Sequence, residues 1–475
     1  MRRDELTRRG FLRTAAVAGA AAMGAQRGMA QASRKPNFVF LFTDDQTYRS
    51  IHALNNPEIS TPNMDRLVGR GTSFTHCFIQ GSLSGAVCVC SRSMLMTGRS
   101  LFRSPLSPSA EDGFPLWPQV FRDAGYSTFG TGKWHNGKEA YALCFSHGSN
   151  IFFGGMHNMN SGGHATPFVY DFDPDGQYPD EARRQPEVFS TDLFADSTVE
   201  FLNTYTDDAP YFAYVPFTAP HDPRMAPETF AAMYPPGSVS VPPNFLPEHP
   251  FDNGEMKIRD EALAPWPRTP EVVQEHRAAY YAMVSHTDYH VGRILDAVAA
   301  RPDADNTYVI FTSDNGLAVG EHGLLGKQNM YDHSMRVPLI VAGPDVGTNR
   351  RVDDLVHLHD IFPSTCELAG LETPGTVESR SIAPLINGTG TGGYESVFGG
   401  YRVVQRMVRT DRHKLIRYPM IGRTQLFDMR EDPYEMRDLS GDPAQAATVA
   451  EMNAELASWQ RETGDALDLE NPRGV

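Results

Sequence analysis

The sequence predicts an α/β protein: a large, mainly parallel, helix-covered sheet followed by a smaller C-terminal α+β domain. Three observations lead there. Short, almost wholly apolar runs recur along the chain, the pattern of strands buried on both faces. Helical patterns lie between them, as crossovers between parallel strands require. Past residue 390 the pattern turns to alternation, which suits antiparallel strands with one solvated face.

Taken in order, the strand runs are 37–43 (Asn-Phe-Val-Phe-Leu-Phe-Thr), 126–129, 211–217, 307–312 and 338–342. The helical patterns are 63–69, 117–124, 192–204 and 271–300. Two stretches read as excursions toward a substrate: 136–175, rich in Gly, His and Asn, and 216–270, which holds 13 of the 35 prolines. In the first of these, His147, His157 and His164 read as surface loop residues or substrate contacts. Residues 403–410 and 413–418 alternate, 425–428 follows, and 444–463 is helical. The expected organisation is an export segment at 1–32, a catalytic α/β domain at 33–390 and an antiparallel-sheet α+β subdomain at 391–475.

A chain of 475 residues buries a sizeable core without staples, and five cysteines make no disulfide framework at this size. The net charge of −16 argues against a general binder of nucleic acid or of anionic membranes. A local basic strip remains open, with Arg224, Lys257 and Arg259 as its members. The N-terminus carries Arg8-Arg9-Gly10-Phe11-Leu12, a short apolar run, and small residues at Ala30 and Ala32. This resembles a twin-arginine export signal, implying the twin-arginine machinery as a partner and a periplasmic or secreted product. The run is too short to span a bilayer, and no later stretch has 18 uncharged apolar residues, so no stable membrane insertion is expected.

In open parallel sheets, ligands bind beyond the carboxyl ends of the strands. Four of the five predicted ends carry ionisable groups: Asp44-Asp45, Lys133-Trp134-His135, His221-Asp222 and Asp314-Asn315. The fifth, after residue 342, is plain. Three carboxylates and an amide gathered at one edge repel unless a cation sits among them, and an all-oxygen set selects a hard ion, Ca²⁺ or Mg²⁺. Lys133, His135, His221, Arg92 and Lys327 supply the positive charge to hold a tetrahedral oxyanion. Lys133 after Gly130 and Gly132 invites a P-loop reading, which fails because Ser127 stands where a Gly is required and Trp134 where Ser or Thr is required.

Cys88-Val89-Cys90-Ser91-Arg92 with Leu95-Met96-Thr97-Gly98-Arg99 resembles the signature of the sulfatases. The likeness extends through Thr43-Asp44-Asp45, Thr61-Pro62-Asn63-Met64-Asp65, Gly132-Lys133-Trp134-His135, Ala219-Pro220-His221, Ser313-Asp314-Asn315-Gly316, Gly326-Lys327, Arg336-Val337-Pro338 and Gln425-Leu426-Phe427-Asp428. It implies an alkaline-phosphatase-like fold and a sulfuric ester hydrolase acting on a small-molecule or carbohydrate sulfate. It implies further that Cys88 is converted to formylglycine by a maturation enzyme. Asp44, Asp45, Asp314 and Asn315 match the ligands of a calcium ion, preferred over magnesium. Arg92 matches the residue that orients the formylglycine, Lys133 and Lys327 the sulfate-binding lysines, His135 the histidine near the formylglycine hydroxyl, and His221 the general acid. The departure is Cys90, where the family has Pro or Ala. The family's register implies that Cys88, not Cys90, is the converted residue, and it is expected just before a helix opening at Ser91-Arg92.

Two further functions share these residues: a phosphodiesterase or phosphonate monoester hydrolase, and a non-catalytic sulfated-glycan binder with Cys88 unmodified. His286 and His290, four apart in a helical stretch, are spaced to face one metal. With Asp288 beside them they resemble a structural helix of the same family, and that reading is taken.

Overall fold

A computed structural model describes residues 34–472; the expected export segment at 1–32 lies outside them. Eight strands form the main sheet in the order β5-β4-β6-β1-β7-β8-β2-β9. They are β1 (Asn37–Thr43), β2 (Thr72–Phe78), β4 (Ser127–Lys133), β5 (His147–Phe152), β6 (Tyr211–Pro216), β7 (Thr307–Ser313), β8 (Arg336–Ala342) and β9 (Arg350–His357). Neighbours pair in parallel except at β8, which runs antiparallel to both β7 and β2. The carboxyl end of β8 therefore lies at the opposite edge, which is why the segment after Ala342 carries no chemistry.

The principal helices are α1 (Pro62–Arg70), α2 (Val87–Thr97), α3 (Trp117–Asp123), α4 (Ser190–Thr204), α5 (Pro270–Ala299), α6 (Ile361–Leu368) and α7 (Ala446–Thr463). They cover both faces of the sheet. Along β1, Phe38, Phe40 and Phe42 pack on one face with Trp117, Phe212 and Tyr214, while Val39 and Leu41 pack on the other with Val284 and Val291 of α5. Every residue of β1 is buried, and this two-sided burial makes its sequence a continuous apolar run. α5 starts at a Thr269 cap that accepts from the Val272 amide, with Pro270 in the first turn. Among the described residues no helix is long and apolar enough to cross a membrane.

A second sheet has the order β13-β12-β11-β10-β3. β10 (Ser396–Tyr401), β11 (Gln405–Thr410), β12 (His413–Tyr418) and β13 (Arg423–Asp428) form an antiparallel meander. Phe398, Val408, Leu415 and Leu426 pack against Met452, Leu456 and Trp459 of α7. The edge strand β3 (Gly81–Ser82) comes from the segment just before α2 and pairs in parallel with β10. The two sheets are thus joined through the backbone leading into α2. A buried ion network joins them again: Lys414 Nζ lies 2.8 Å from Asp332 Oδ1 and 2.7 Å from Glu435 Oε1. Truncating Lys414 to Ala leaves two buried carboxylates facing each other. It is expected to cost about 3–5 kcal/mol, read as a lower urea midpoint.

The stretch 136–175 is more regular than its composition suggests. It contains a short helix, Lys138–Cys144, and the edge strand β5.

Candidate active site

The carboxyl ends of β4, β6, β1 and β7 lie side by side, and each delivers its polar residues to one buried point. Asp44, Asp45, Asp314 and Asn315 are all 0–1% exposed. Lys133 Nζ donates to Asp44 Oδ2 at 2.5 Å, and Lys327 Nζ donates to Asp45 Oδ1 at 2.5 Å. Arg92 Nε donates to Asp314 Oδ2 at 2.8 Å, and Asn315 Nδ2 donates to Asp45 Oδ1 at 2.7 Å. Three carboxylates are thereby matched by three cationic side chains. Two buried acceptors, Asp44 Oδ1 and Asn315 Oδ1, have no donor. Unpaired buried oxygens of this kind cost free energy unless a cation meets them. The donor set is oxygen-only and fits a hard divalent ion.

Burial and Asp44 push the Asp314 carboxyl above its ordinary value, while Arg92 and the two lysines oppose the rise. For Lys327, burial works against the charge, but the surrounding anionic groups, Asp45 first, raise it well above the usual lysine range.

Cys88 faces this cluster. Its Sγ lies 3.3 Å from His135 Nδ1 and accepts from Lys133 Nζ at 3.5 Å. Its sulfur and carboxylate oxygens of Asp44 and Asp314 all lie within 4.8 Å of one another. Burial raises the thiol's pKa, against the opposing pull of Lys133 and Lys327, so the fold does not favour the thiolate. The helix begins at Val87, earlier than the sequence suggests, so Cys88 lies in the first turn of α2 instead of before it. α2 is buried on every side, so apolar periodicity does not mark its start. It ends at Gly98, whose φ of 64° suits glycine and where a Cβ would stand 2.7 Å from Val377.

Cys90, two residues further on, points away. Its Sγ accepts from Ser82 Oγ at 3.1 Å and packs with Met94 and Leu101. Residues i and i+2 of a helix lie about 200° apart, so Cys90 does not reach the cation cradle.

His135 is held neutral: burial, with Lys133 and Arg92 adding, pushes it down to about 2. Asp45 and His135 both have positive φ, 68° and 69°. Neither is glycine, and such backbone strain gathers at functional sites. His221 Nδ1 lies 2.8 Å from the Asp222 carbonyl, to which it donates, leaving Nε2 to face Asp45 Oδ2 at 3.8 Å. Asp222 is in turn gripped by Arg259. Burial resists the charge on Asp222, but His221 and Arg259 hold it below the usual carboxylate range. Arg259 is also paired with Asp260, so it is not free to guide an anion as a member of the expected basic strip.

All ten site residues chosen from the sequence converge here. Several supporting residues carry no sequence signal. Tyr280 of α5 donates to the Asp45 carbonyl at 2.7 Å and accepts from the Thr47 amide at 3.0 Å. Asn136 donates to the Val89 carbonyl at 3.1 Å, fixing the start of α2. His157 and His164 are buried, not surface residues, and His157 also borders the cleft described below. His164 Nε2 lies 3.0 Å from the His221 carbonyl, and His157 Nε2 lies 3.0 Å from Thr218 Oγ1. They brace the His221 loop, while His147 lies at the exposed start of β5.

Gly155 lies against the His135 ring, where a Cβ would sit 2.8 Å from Nε2. Gly155→Ala is therefore expected to displace His135, lowering kcat/KM about 10–100-fold with the melting temperature little changed. An open cleft of about 720 Å³ adjoins the site, bounded in part by Met156, His157, Asp222, Arg224, Leu263 and His276.

Buried carboxylates, lysines and histidines thus converge with Cys88 beyond the strand ends of a helix-covered sheet, an arrangement suited to a cation and a tetrahedral oxyanion. The sulfatase family model matches residues 36–371, and one described as N-sulphoglucosamine sulphohydrolase, C-terminal, matches 320–462. The chain belongs to the sulfatase family, hydrolases of sulfate esters.

It is 26% identical to an N-acetylglucosamine-6-O-sulfatase of Bacteroides thetaiotaomicron, over 91% of this chain and 88% of that protein. It is 27% identical to an ulvan-active sulfatase of Formosa agariphila, over 91% and 82%. Among solved structures it resembles one in complex with its substrate D-glucosamine-2-N,6-O-disulfate (TM-score 0.75, 23% identity, 91% of this chain and 99% of that one). It also resembles the phosphonate monoester hydrolase of Agrobacterium radiobacter (TM-score 0.71, 22% identity, 90% and 96%). At these identities the structural likenesses speak to fold alone.

Proposed function

We propose that the protein is an exported sulfatase that removes sulfate from a carbohydrate sulfate ester, using a formylglycine made from Cys88 and one bound divalent cation, calcium. The observation that carries this reading is the pair of donorless buried oxygens, Asp44 Oδ1 and Asn315 Oδ1, in a cradle that faces the Cys88 side chain. The carbohydrate substrate is supported by the glucosamine and ulvan sulfatases among the relatives and by a cleft of about 720 Å³ with apolar and charged walls. Export rests on the N-terminal residues and would use the twin-arginine machinery.

The residues divide the work. Asp44, Asp45, Asp314 and Asn315 would hold the cation, which supplies Lewis acidity at the sulfuryl oxygens. Formylglycine supplies a nucleophile that regenerates itself, which a thiol does not. Lys133 and Lys327 place two ammonium groups against the sulfate and offset charge gathering on its oxygens. Arg92 clamps Asp314 and, through Nη1, the Lys133 carbonyl at 2.7 Å. Neutral His135 offers a ring nitrogen to a hydroxyl at position 88. His221 delivers a proton to the departing sugar oxygen through Nε2, because its Nδ1 is committed to the Asp222 carbonyl.

Asp314→Ala is expected to lose calcium, measured by elemental analysis, and to lower kcat by at least about 10²-fold. Full activity in that variant, or retention of stoichiometric calcium, would sink the assignment of the cradle. Rates on matched aryl sulfate and phosphodiester substrates distinguish this reading from a phosphodiesterase or phosphonate monoester hydrolase: faster sulfate hydrolysis is expected, and faster phosphodiester hydrolysis would overturn it.

A further inference from the structure

We propose that the chain carries a second metal site, distinct from the cradle, in which Asp192, His286 and His290 bind one Zn²⁺ and clip α4 to α5. The two histidines lie one turn apart on α5, and α4 brings Asp192 to them from across the helix pair. His286 Nε2 is 2.9 Å from Asp192 Oδ2, and His290 Nε2 is 3.3 Å from Asp192 Oδ1. The two Nε2 atoms are 3.2 Å apart. Ligands about 2.0–2.2 Å from a tetrahedral zinc stand roughly 3.3–3.5 Å from one another, close to these spacings.

The donor chemistry separates this site from the cradle. Two imidazoles and one carboxylate favour zinc over calcium or magnesium. His286 and His290 are 3% and 1% exposed, while the Asp192 side chain is 36% exposed and leaves a path for an ion. Without an ion, two imidazole nitrogens that close cannot both point an N–H at each other; one must act as acceptor. Arg293 Nη1 faces His290 Nδ1 at 3.2 Å and pairs with Asp196 at 2.7 Å. Zinc on Nε2 puts the ring proton on Nδ1, so Arg293 then turns wholly to Asp196.

The clip sits two residues from the start of α4. Ser190 Oγ lies 2.9 Å from His164 Nδ1 and 3.0 Å from Thr218 Oγ1, and His164 Nε2 lies 3.0 Å from the His221 carbonyl. Zinc would anchor the helix from which this chain of contacts reaches the general-acid loop, without touching substrate.

The test uses the full folded chain, stripped with a chelator, returned to excess calcium and titrated with Zn²⁺ alone. The expected result is one equivalent of zinc per chain, a higher melting temperature on loading, and a tetrahedral absorption band when Co²⁺ replaces zinc. His286→Gln with His290→Gln should weaken zinc binding beyond the ~10–100-fold typical of losing an outer-shell partner, whereas Asp314→Asn should leave it intact. Should the double variant fail to fold, Asp192→Asn, a near-isosteric change at a partly exposed position, carries the same comparison. No zinc bound by the unaltered protein at micromolar free zinc, or zinc retained by the histidine or Asp192 variants, would overturn the proposal, leaving a hydrogen-bonded triad.

Discussion

Cys88→Ala is expected to abolish turnover, with kcat down by roughly 10⁴-fold or more, as when a nucleophile is removed from a preorganised site. The cradle, lysines and histidines all remain, so sulfated ligand should still bind, and the loss should fall on kcat rather than KM. Cys88→Ser keeps one hydroxyl at the same place. Lacking the second hydroxyl of an aldehyde hydrate, it is expected to turn over at most once per chain, visible as a stoichiometric burst. Peptide mass spectrometry of active protein should locate the mass loss of a thiol-to-aldehyde change at Cys88, with Cys90 unchanged. Geometry supports that choice: Cys88 Sγ stands 3.3 Å from His135, whereas Cys90 is bonded to Ser82 on the other side of α2. A mass loss at Cys90, or an active Cys88→Ala enzyme, would overturn the assignment.

His221→Ala should show a loss that depends on the leaving group. A sugar alkoxide needs a proton as it departs, so with a sugar sulfate the variant should lose about 10²–10⁴-fold in kcat/KM. A nitrophenolate leaves without one, so an activated aryl sulfate should be hydrolysed almost as well as before. Equal losses on both would instead assign His221 to holding sulfate, in line with its 3.8 Å approach to Asp45. Because His221 Nε2 stands 3.8 Å from Asp45, calcium content of the variant should be measured alongside; it is expected to be unchanged, since the imidazole's hydrogen bond is to the Asp222 carbonyl.

Much of this was legible because the chemistry sits where strands end. β1, β6 and β7 are buried on both faces and announce themselves as apolar runs, so the residues that follow them could be read as one edge. Of the strands not read from the sequence, β2 and β10 are buried but too rich in Thr, Ser, His and Gly to form apolar runs. β5 and β9 are the outer strands of the main sheet, only partly buried, and β9 carries Arg350, Arg351, Asp353 and Asp354. The reversal of β8 leaves no trace in periodicity, which reports burial and not direction; only its chemically plain end hints at it. The start of α2 was misplaced because a helix buried all round has no polar face to mark its first turn. Gly155, Tyr280 and Asn136 act through contacts between residues distant in sequence, and Asp192 meets His286 and His290 only because α4 packs on α5.

The pairing of β3 with β10 sets a clock. Cys88 is 2% exposed once the chain is folded, and the backbone just before it is an edge of the second sheet. That sheet cannot form until β10 exists, and Ser396 is synthesised about 300 residues after Cys88, which at ~5–20 residues per second takes roughly 15–60 s. During that interval the Cys88 segment lacks its partner strand; on the formylglycine reading proposed above, this is when a maturation enzyme would reach Cys88, before folding leaves it 2% exposed. A host that makes the chain faster than it can modify it would accumulate well-folded protein with an intact thiol, and no later supply of maturation enzyme would rescue it.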